Sequence, residues 1–62
     1  MKRIFKNRLY KVTKYTADTV GDCGILNGDD VHAVLKGFTY DDELEMYFNQ
    51  SGKIGYDVTE VA

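Results

Sequence analysis

The feature that most limits how this chain can fold is its single cysteine, Cys23, in a sequence of 62 residues. A chain of this length buries only about 60% of the surface that its unfolded form exposes, so its core is small. Small domains usually gain stability from disulfides, a bound metal or self-association. One cysteine cannot form an intrachain disulfide, and together with one histidine, His32, it does not make a four-ligand zinc site. We therefore expect one domain, residues 1–62, that forms a homodimer in a reducing compartment.

The composition is typical of a globular protein, because 44% of the residues are hydrophobic. No apolar run approaches the roughly 20 residues that a membrane helix needs. The basic start "MKRIFK" is not followed by the apolar stretch of a signal peptide. The sequence predicts a cytoplasmic protein without membrane contact.

Charge is distributed unevenly along the chain. Residues 1–16 contain six basic residues and no acid, whereas the remainder holds all ten acids and only two lysines, Lys36 and Lys53. Such asymmetry indicates an electrostatic partner, or a fold in which one half neutralises the other. The basic segment also contains Phe5, Tyr10 and Tyr15, so it could bind nucleic acid. Alternatively, its cations could keep an edge strand solvated and prevent aggregation.

The first two thirds of the chain predict strands and a turn. Residues 9–15 alternate, with Tyr10 and Val12 on one face, which indicates a strand. Asn27–Gly28 is the strongest short hairpin signal in the sequence. Residues 31–38 fit either a helix or a strand, and we favour a strand because they follow this turn and precede Gly37.

The remainder predicts a helix and a final strand. Thr39 is a suitable N-cap, the helix spans Tyr40–Asn49, and Gly52 ends it. Residues 53–61 alternate as in a strand. The predicted fold is α+β, a three-stranded, mainly antiparallel sheet with one helix in the order β-β-α-β.

The predicted helix combines acids with a core-facing apolar stripe of four side chains, Tyr40, Leu44, Tyr47 and Phe48. Acids in its first turn suit the helix dipole, but Glu45 lies beyond that turn. No basic residue lies between Lys36 and Lys53 to form the usual i,i+4 pairs. The predicted partner-binding residues are Asp41, Asp42, Leu44, Glu45, Tyr47 and Phe48. A ridge of carboxylates can imitate the phosphates of DNA, and its charge disfavours direct DNA binding by this helix.

The sequence gives no sign of catalysis, a cofactor or a metal. One histidine and one serine, Ser51, do not assemble a nucleophilic triad. The glycines fit neither a P-loop nor a dinucleotide fingerprint, and the acids and Cys23 near His32 match no metal-ligand spacing. We predict a protein that is not an enzyme, with Cys23 as a free thiol and His32 as an exposed strand residue.

Residues 36–61, "KGFTYDDELEMYFNQSGKIGYDVTEV", resemble the C-terminal half of the small dimeric uracil-DNA glycosylase inhibitors of Bacillus phages. The shared features are a lysine-glycine step into an acidic-aromatic helix and a last strand ending in an acidic and an aliphatic residue. The resemblance places Leu44, Glu45 and Phe48 at the positions of the family's pocket phenylalanine, key glutamate and tyrosine. It implies inhibition without catalysis by a DNA-mimicking homodimer, located in the host cytoplasm if a phage encodes it.

The leading hypothesis is therefore a non-catalytic inhibitor of a protein that normally binds DNA, with uracil-DNA glycosylase as the target that the resemblance indicates. One alternative is a small nucleic-acid-binding module that uses the basic N-terminal strand. Another is a phage-type protein that binds a different host target.

Overall fold

The computed structural model describes residues 3–61, which form a five-stranded antiparallel sheet with one short helix. The elements are, in chain order, β1 (Leu9–Tyr15), β2 (Val20–Asn27), α1 (Gly28–Val34), β3 (Thr39–Asp41), β4 (Met46–Phe48) and β5 (Gly55–Glu60). The order of the strands in the sheet is β2-β1-β5-β4-β3. The prediction of a three-stranded α+β fold in the order β-β-α-β is wrong, because the described chain is mostly β.

The core lies on one face of the sheet, where α1 packs. Its buried members are Tyr10, Val12, Val31, Tyr47 and Val58. The alternation predicted for residues 9–15 is confirmed, since Tyr10 and Val12 are buried while Leu9, Lys11 and Tyr15 are exposed. We call the opposite side of the sheet, to which Leu9, Lys11, Thr13 and Tyr15 point, the open face.

The helix occurs where a strand was favoured. Asn27 does not begin a hairpin turn; its side-chain oxygen accepts a hydrogen bond from the backbone N–H of Asp30 (2.9 Å) and caps α1. Asp29 and Asp30 lie in the first turn of α1, where the helix dipole favours acids. Gly28 is required for packing, because a side chain there would overlap the Phe5 carbonyl oxygen. His32 is consequently an exposed helix residue and not an exposed strand residue.

Residues 39–48 form a hairpin where a helix was predicted. Thr39, the predicted N-cap, is the first residue of β3, and it pairs with Phe48 of β4. Ten residues without basic i+4 partners are too few for a stable helix in isolation, so tertiary pairing decides their structure. The threonine and aromatic residues at both ends of this stretch favour strands. The final strand, β5, agrees with the prediction.

The strand β2 (Val20–Asn27) was not predicted, because the only signal recognised in this segment is the turn at Asn27–Gly28. The segment contains glycines and acids, yet it forms an eight-residue edge strand with a β-bulge opposite Val12 and Thr13. In this bulge Gly24 has φ +82°, and its N–H donates to the Asp22 carboxylate (2.8 Å). A bulge on an edge strand hinders pairing with another sheet edge.

Candidate functional site

The candidate site is the acidic hairpin, which we define as residues 39–48. The Asp41 carboxylate fixes its turn, because Oδ1 accepts hydrogen bonds from the backbone N–H groups of Glu43 (2.9 Å) and Leu44 (3.2 Å). An aspartate that bonds the backbone two and three residues ahead replaces a backbone turn interaction. The turn therefore presents its side chains from a fixed backbone.

Glu45 closes this turn in the left-handed backbone region, with φ 54°. A non-glycine residue in this region has an energetic cost of about 1–2 kcal/mol. The conformation returns the chain to Met46, which pairs with Asp41 across the hairpin. Strained residues of this kind often occur at functional sites.

Aromatic residues anchor the hairpin to the core. Tyr40 and Tyr47 are directly opposite each other, with ring centroids 4.8 Å apart and ring planes inclined by 56°. Tyr47 is buried, whereas Leu44 at the turn is 62% exposed. The hairpin thus has an apolar base inside the protein and an apolar tip in solvent.

Carboxylates surround this apolar tip. Asp42, Glu43 and Glu45 are exposed residues of the turn, and Asp41 is half-buried at its start. Partial burial raises the pKa of Tyr40, and the carboxylates of Glu45, Asp42, Asp41 and Asp57 raise it further. Burial also raises the pKa of Tyr47. Asp57 is next to Tyr56, which pairs with Tyr47 of the hairpin.

The structure separates the residues that a catalytic or metal site would need. The His32 ring Nε2 lies 2.9 Å from the Ile4 carbonyl oxygen, and the Ser51 hydroxyl donates to the Asn49 side chain (3.3 Å). Within residues 3–61, no three histidine, cysteine or acidic side chains are grouped so that they could hold a metal ion. Cys23 is a free, exposed thiol in β2.

Within residues 3–16, the basic side chains do not share one face of the sheet. The guanidinium carbons of Arg3 and Arg8 each lie 5.3 Å from the centroid of the Phe5 ring. Arg8 also forms an ion pair with Glu60 (2.8 Å), and this hydrogen-bonded carboxylate raises the Arg8 pKa. Lys11 lies on the open face, whereas Lys14 is on the side of the helix by the strand alternation.

The six predicted partner-binding residues lie in the hairpin, but not as one helical surface. The prediction that Tyr40, Leu44, Tyr47 and Phe48 form a single core-facing stripe is wrong. Tyr40 and Tyr47 contact the core, Leu44 is in solvent, and Phe48 lies on the open face. The carboxylates of Asp41, Asp42 and Glu45 are gathered around the turn.

Two residues of the acidic region are absent from the predicted site. Glu43 is one of the acids in the first turn of the predicted helix, and the structure places it instead in the hairpin turn between Asp42 and Leu44. Asp57 approaches the hairpin through the pairing of β4 with β5. Its position in an alternating strand indicates only that it lies on the face opposite Tyr56 and Val58.

Comparison with known proteins finds no match for this chain among protein-family models, curated proteins or solved structures. In the part of the chain that the structure describes, no helix has the length and apolar character needed to cross a membrane.

Proposed function

We propose that the protein is a non-catalytic binding protein whose acidic hairpin occupies the cationic, DNA-contacting surface of a DNA-binding enzyme. The observation that carries this proposal is the fixed turn, in which exposed Leu44 stands among the carboxylates of Asp42, Glu43 and Glu45. An apolar contact surrounded by charged groups is the usual arrangement of a protein–protein interface.

The turn carries carboxylates on three consecutive residues, a close spacing that also marks the phosphates of a nucleic acid strand. Consecutive Cα atoms are about 3.8 Å apart, so Asp41, Asp42 and Glu43 supply one carboxylate per 3.8 Å of chain. One DNA strand carries one phosphate per about 3.4 Å along the helix axis. Arginine and lysine side chains placed to hold phosphates can therefore bind these carboxylates.

Uracil-DNA glycosylase is the target that we propose to test, because residues 36–61 resemble its phage inhibitors. Since the stretch that carries this resemblance is a hairpin, the choice of target depends on sequence similarity and not on a shared helix. Recognition by a hairpin tip differs from recognition by the side of a helix, because the charges project from one end of the sheet.

The experiment compares two double variants that remove equal charge at different places. Glu43→Gln with Glu45→Gln changes the turn but leaves the Asp41 hydrogen bonds in place. Asp18→Asn with Asp30→Asn removes two exposed carboxylates outside the hairpin. Calorimetric titration into uracil-DNA glycosylase should show about a tenfold or greater loss of affinity for the hairpin variant, because charged hydrogen bonds contribute about 1.5–3 kcal/mol each.

The control variant should bind within about twofold of the wild-type protein, because its carboxylates lie outside the proposed interface. Equal losses in both variants would mean that only net charge matters, and the hairpin would not be the site. In a parallel native gel, a shift of labelled DNA by the protein alone would favour the alternative of a nucleic-acid-binding module.

A further inference from the structure

The open face of the sheet carries apolar side chains that nothing in the described chain covers. Val20 is 68%, Ile25 58% and Leu9 53% exposed. The strand registers place all three on the side away from α1, opposite Tyr15, Lys11 and Asn27 respectively. Val61 joins them beside Leu9, whose carbonyl accepts its N–H (2.9 Å). The buried core lies on the other face, so the open face of the sheet has no packing partner within the described chain.

One row of residues across this face has a complementary pattern of large and absent side chains. Val20, Tyr15, Gly55 and Phe48 are consecutive neighbours on β2, β1, β5 and β4. The Phe48 ring and the Met46 methyl group occupy the space next to Gly55 where a side chain would stand. A groove of about 370 Å³ lies here, lined among others by Tyr15, Gly55 and Phe48. The row thus has protruding side chains at one end, Val20 and Tyr15, and a depression between Tyr15 and Phe48.

We propose that a second copy of this chain covers the open face. The two copies are related by a two-fold axis that runs parallel to the strands, midway between the two sheets and above the boundary between β1 and β5. This rotation reverses the row, so that Tyr15 of each copy lies over Gly55 of the other and Val20 lies over Phe48. The groove then receives the side chains that protrude from the second copy. A two-fold interface requires such a self-complementary surface, and two packed sheets lie about 10 Å apart.

Charges on the open face agree with this arrangement. The same rotation brings Lys11 of one copy over β5 of the other at Thr59, two residues from Asp57. The lysine side chain can reach that carboxylate, and symmetry forms the contact twice. A stable interface uses about 800 Å² per partner, which is roughly a sixth of the 4567 Å² surface of the described chain.

Pairing through the sheet edges is a weaker alternative. The β2 edge is interrupted by the bulge at Gly24, and the β3 edge has only three residues, Thr39–Asp41. Both features hinder addition of further strands. The packing of open face on open face does not depend on what the acidic hairpin binds.

Sedimentation equilibrium at micromolar concentration tests the proposal with one interface variant and one matched control. The wild-type protein should have twice the 7.1 kDa mass of the chain. Val20→Lys should raise the dimer dissociation constant at least about tenfold, because two lysines would be buried against apolar groups. Leu44→Lys places the same change on an equally exposed apolar residue outside the face, and it should leave the dimer intact.

A charge exchange provides a second test that does not alter apolar packing. Lys11→Asp should weaken the dimer, and the double change Lys11→Asp with Asp57→Lys should restore it. Circular dichroism of each variant verifies that the fold is retained. The proposal would be overturned if the wild-type protein sediments as a monomer, or if Leu44→Lys weakens the dimer as much as Val20→Lys does. It would also be overturned if the double change does not restore association. Loss of glycosylase binding by Leu44→Lys with an intact dimer would separate the two sites.

Discussion

Glu45 shows how a single backbone conformation links the fold of the hairpin to its chemistry. Within the described residues it is the only non-glycine residue with positive φ. A glycine would adopt this conformation without strain, but it would remove one of the carboxylates at the tip. The structure therefore has a cost in stability at the place where the proposed function needs a charge.

We predict that Glu45→Gly stabilises the protein, whereas Glu45→Ala does not. Glycine relieves the left-handed strain of about 1–2 kcal/mol but increases the freedom of the unfolded chain, so the net gain should be about 0.5–1 kcal/mol. Alanine removes the same carboxylate and retains the strain. Urea unfolding measures both free energies, and equal values for the two variants would show that the residue is not strained.

The paired tyrosines predict a loss of stability at alkaline pH. Tyr40 and Tyr47 have raised pKa values in the folded protein, mainly because of burial. The unfolded chain therefore releases these protons first, and the folded state is destabilised as the pH rises above the ordinary tyrosine value of 10.0. Their contribution is complete below that pH and is lost as the pH approaches the folded-state pKa values.

Phenylalanine substitutions isolate this contribution. Between pH 9 and pH 11, the unfolding free energy of the double variant Tyr40→Phe with Tyr47→Phe should decrease less than that of the wild-type protein. This range brackets the ordinary tyrosine pKa of about 10. Parallel pH profiles for the two proteins would contradict a linkage to these hydroxyl groups.

At the scale of elements, the strands β1 and β5 could be predicted from alternation, but the helix and the hairpin could not. Residues 31–38 carry both helical and strand periodicity, and the cap that decides between them is Asn27, which also gives the strongest hairpin signal. Residues 40–49 have a helical apolar stripe, yet their pairing with β5 stabilises strands. A local sequence pattern carries no information about which distant strand will pair with a segment. Tertiary contacts therefore override the local secondary-structure propensity.

The cap of α1 provides a direct test of this assignment. Asn27→Ala removes the oxygen that accepts from the Asp30 N–H and should destabilise the protein by about 1 kcal/mol. Asn7→Ala, at an exposed position, should change stability by less than about 0.5 kcal/mol. Chemical denaturation measures both, and an equally small effect for Asn27 would indicate that the residue does not cap a helix.

For the whole molecule, the sheet order determines which distant residues meet at the site. The acid-rich stretch and the acids of the candidate site, Asp41, Asp42 and Glu45, could be predicted from charge alone. The contribution of Asp57 could not, because it follows from β4 lying beside β5. Tyr47 lies in the core and Phe48 on the open face because neighbouring residues of a strand point to opposite faces, whereas a helix would place both on one arc.

The salt dependence of the binding affinity reports the combined charge of the hairpin. The affinity for uracil-DNA glycosylase should decrease as ionic strength rises, since exposed charges are screened beyond about 8 Å at 0.15 M salt. The variant with Glu43→Gln and Glu45→Gln should show a shallower dependence. A wild-type affinity that is constant from low to high salt would indicate an apolar interface.

The central claim is that the acidic hairpin is the binding surface, and nuclear magnetic resonance can locate that surface directly. Uracil-DNA glycosylase would be titrated into the ¹⁵N-labelled protein while the backbone amide signals are followed. We predict that the largest changes occur at residues 41–45, with little change at residues 3–8. No change on adding the enzyme, or changes concentrated in residues 3–14, would contradict the account.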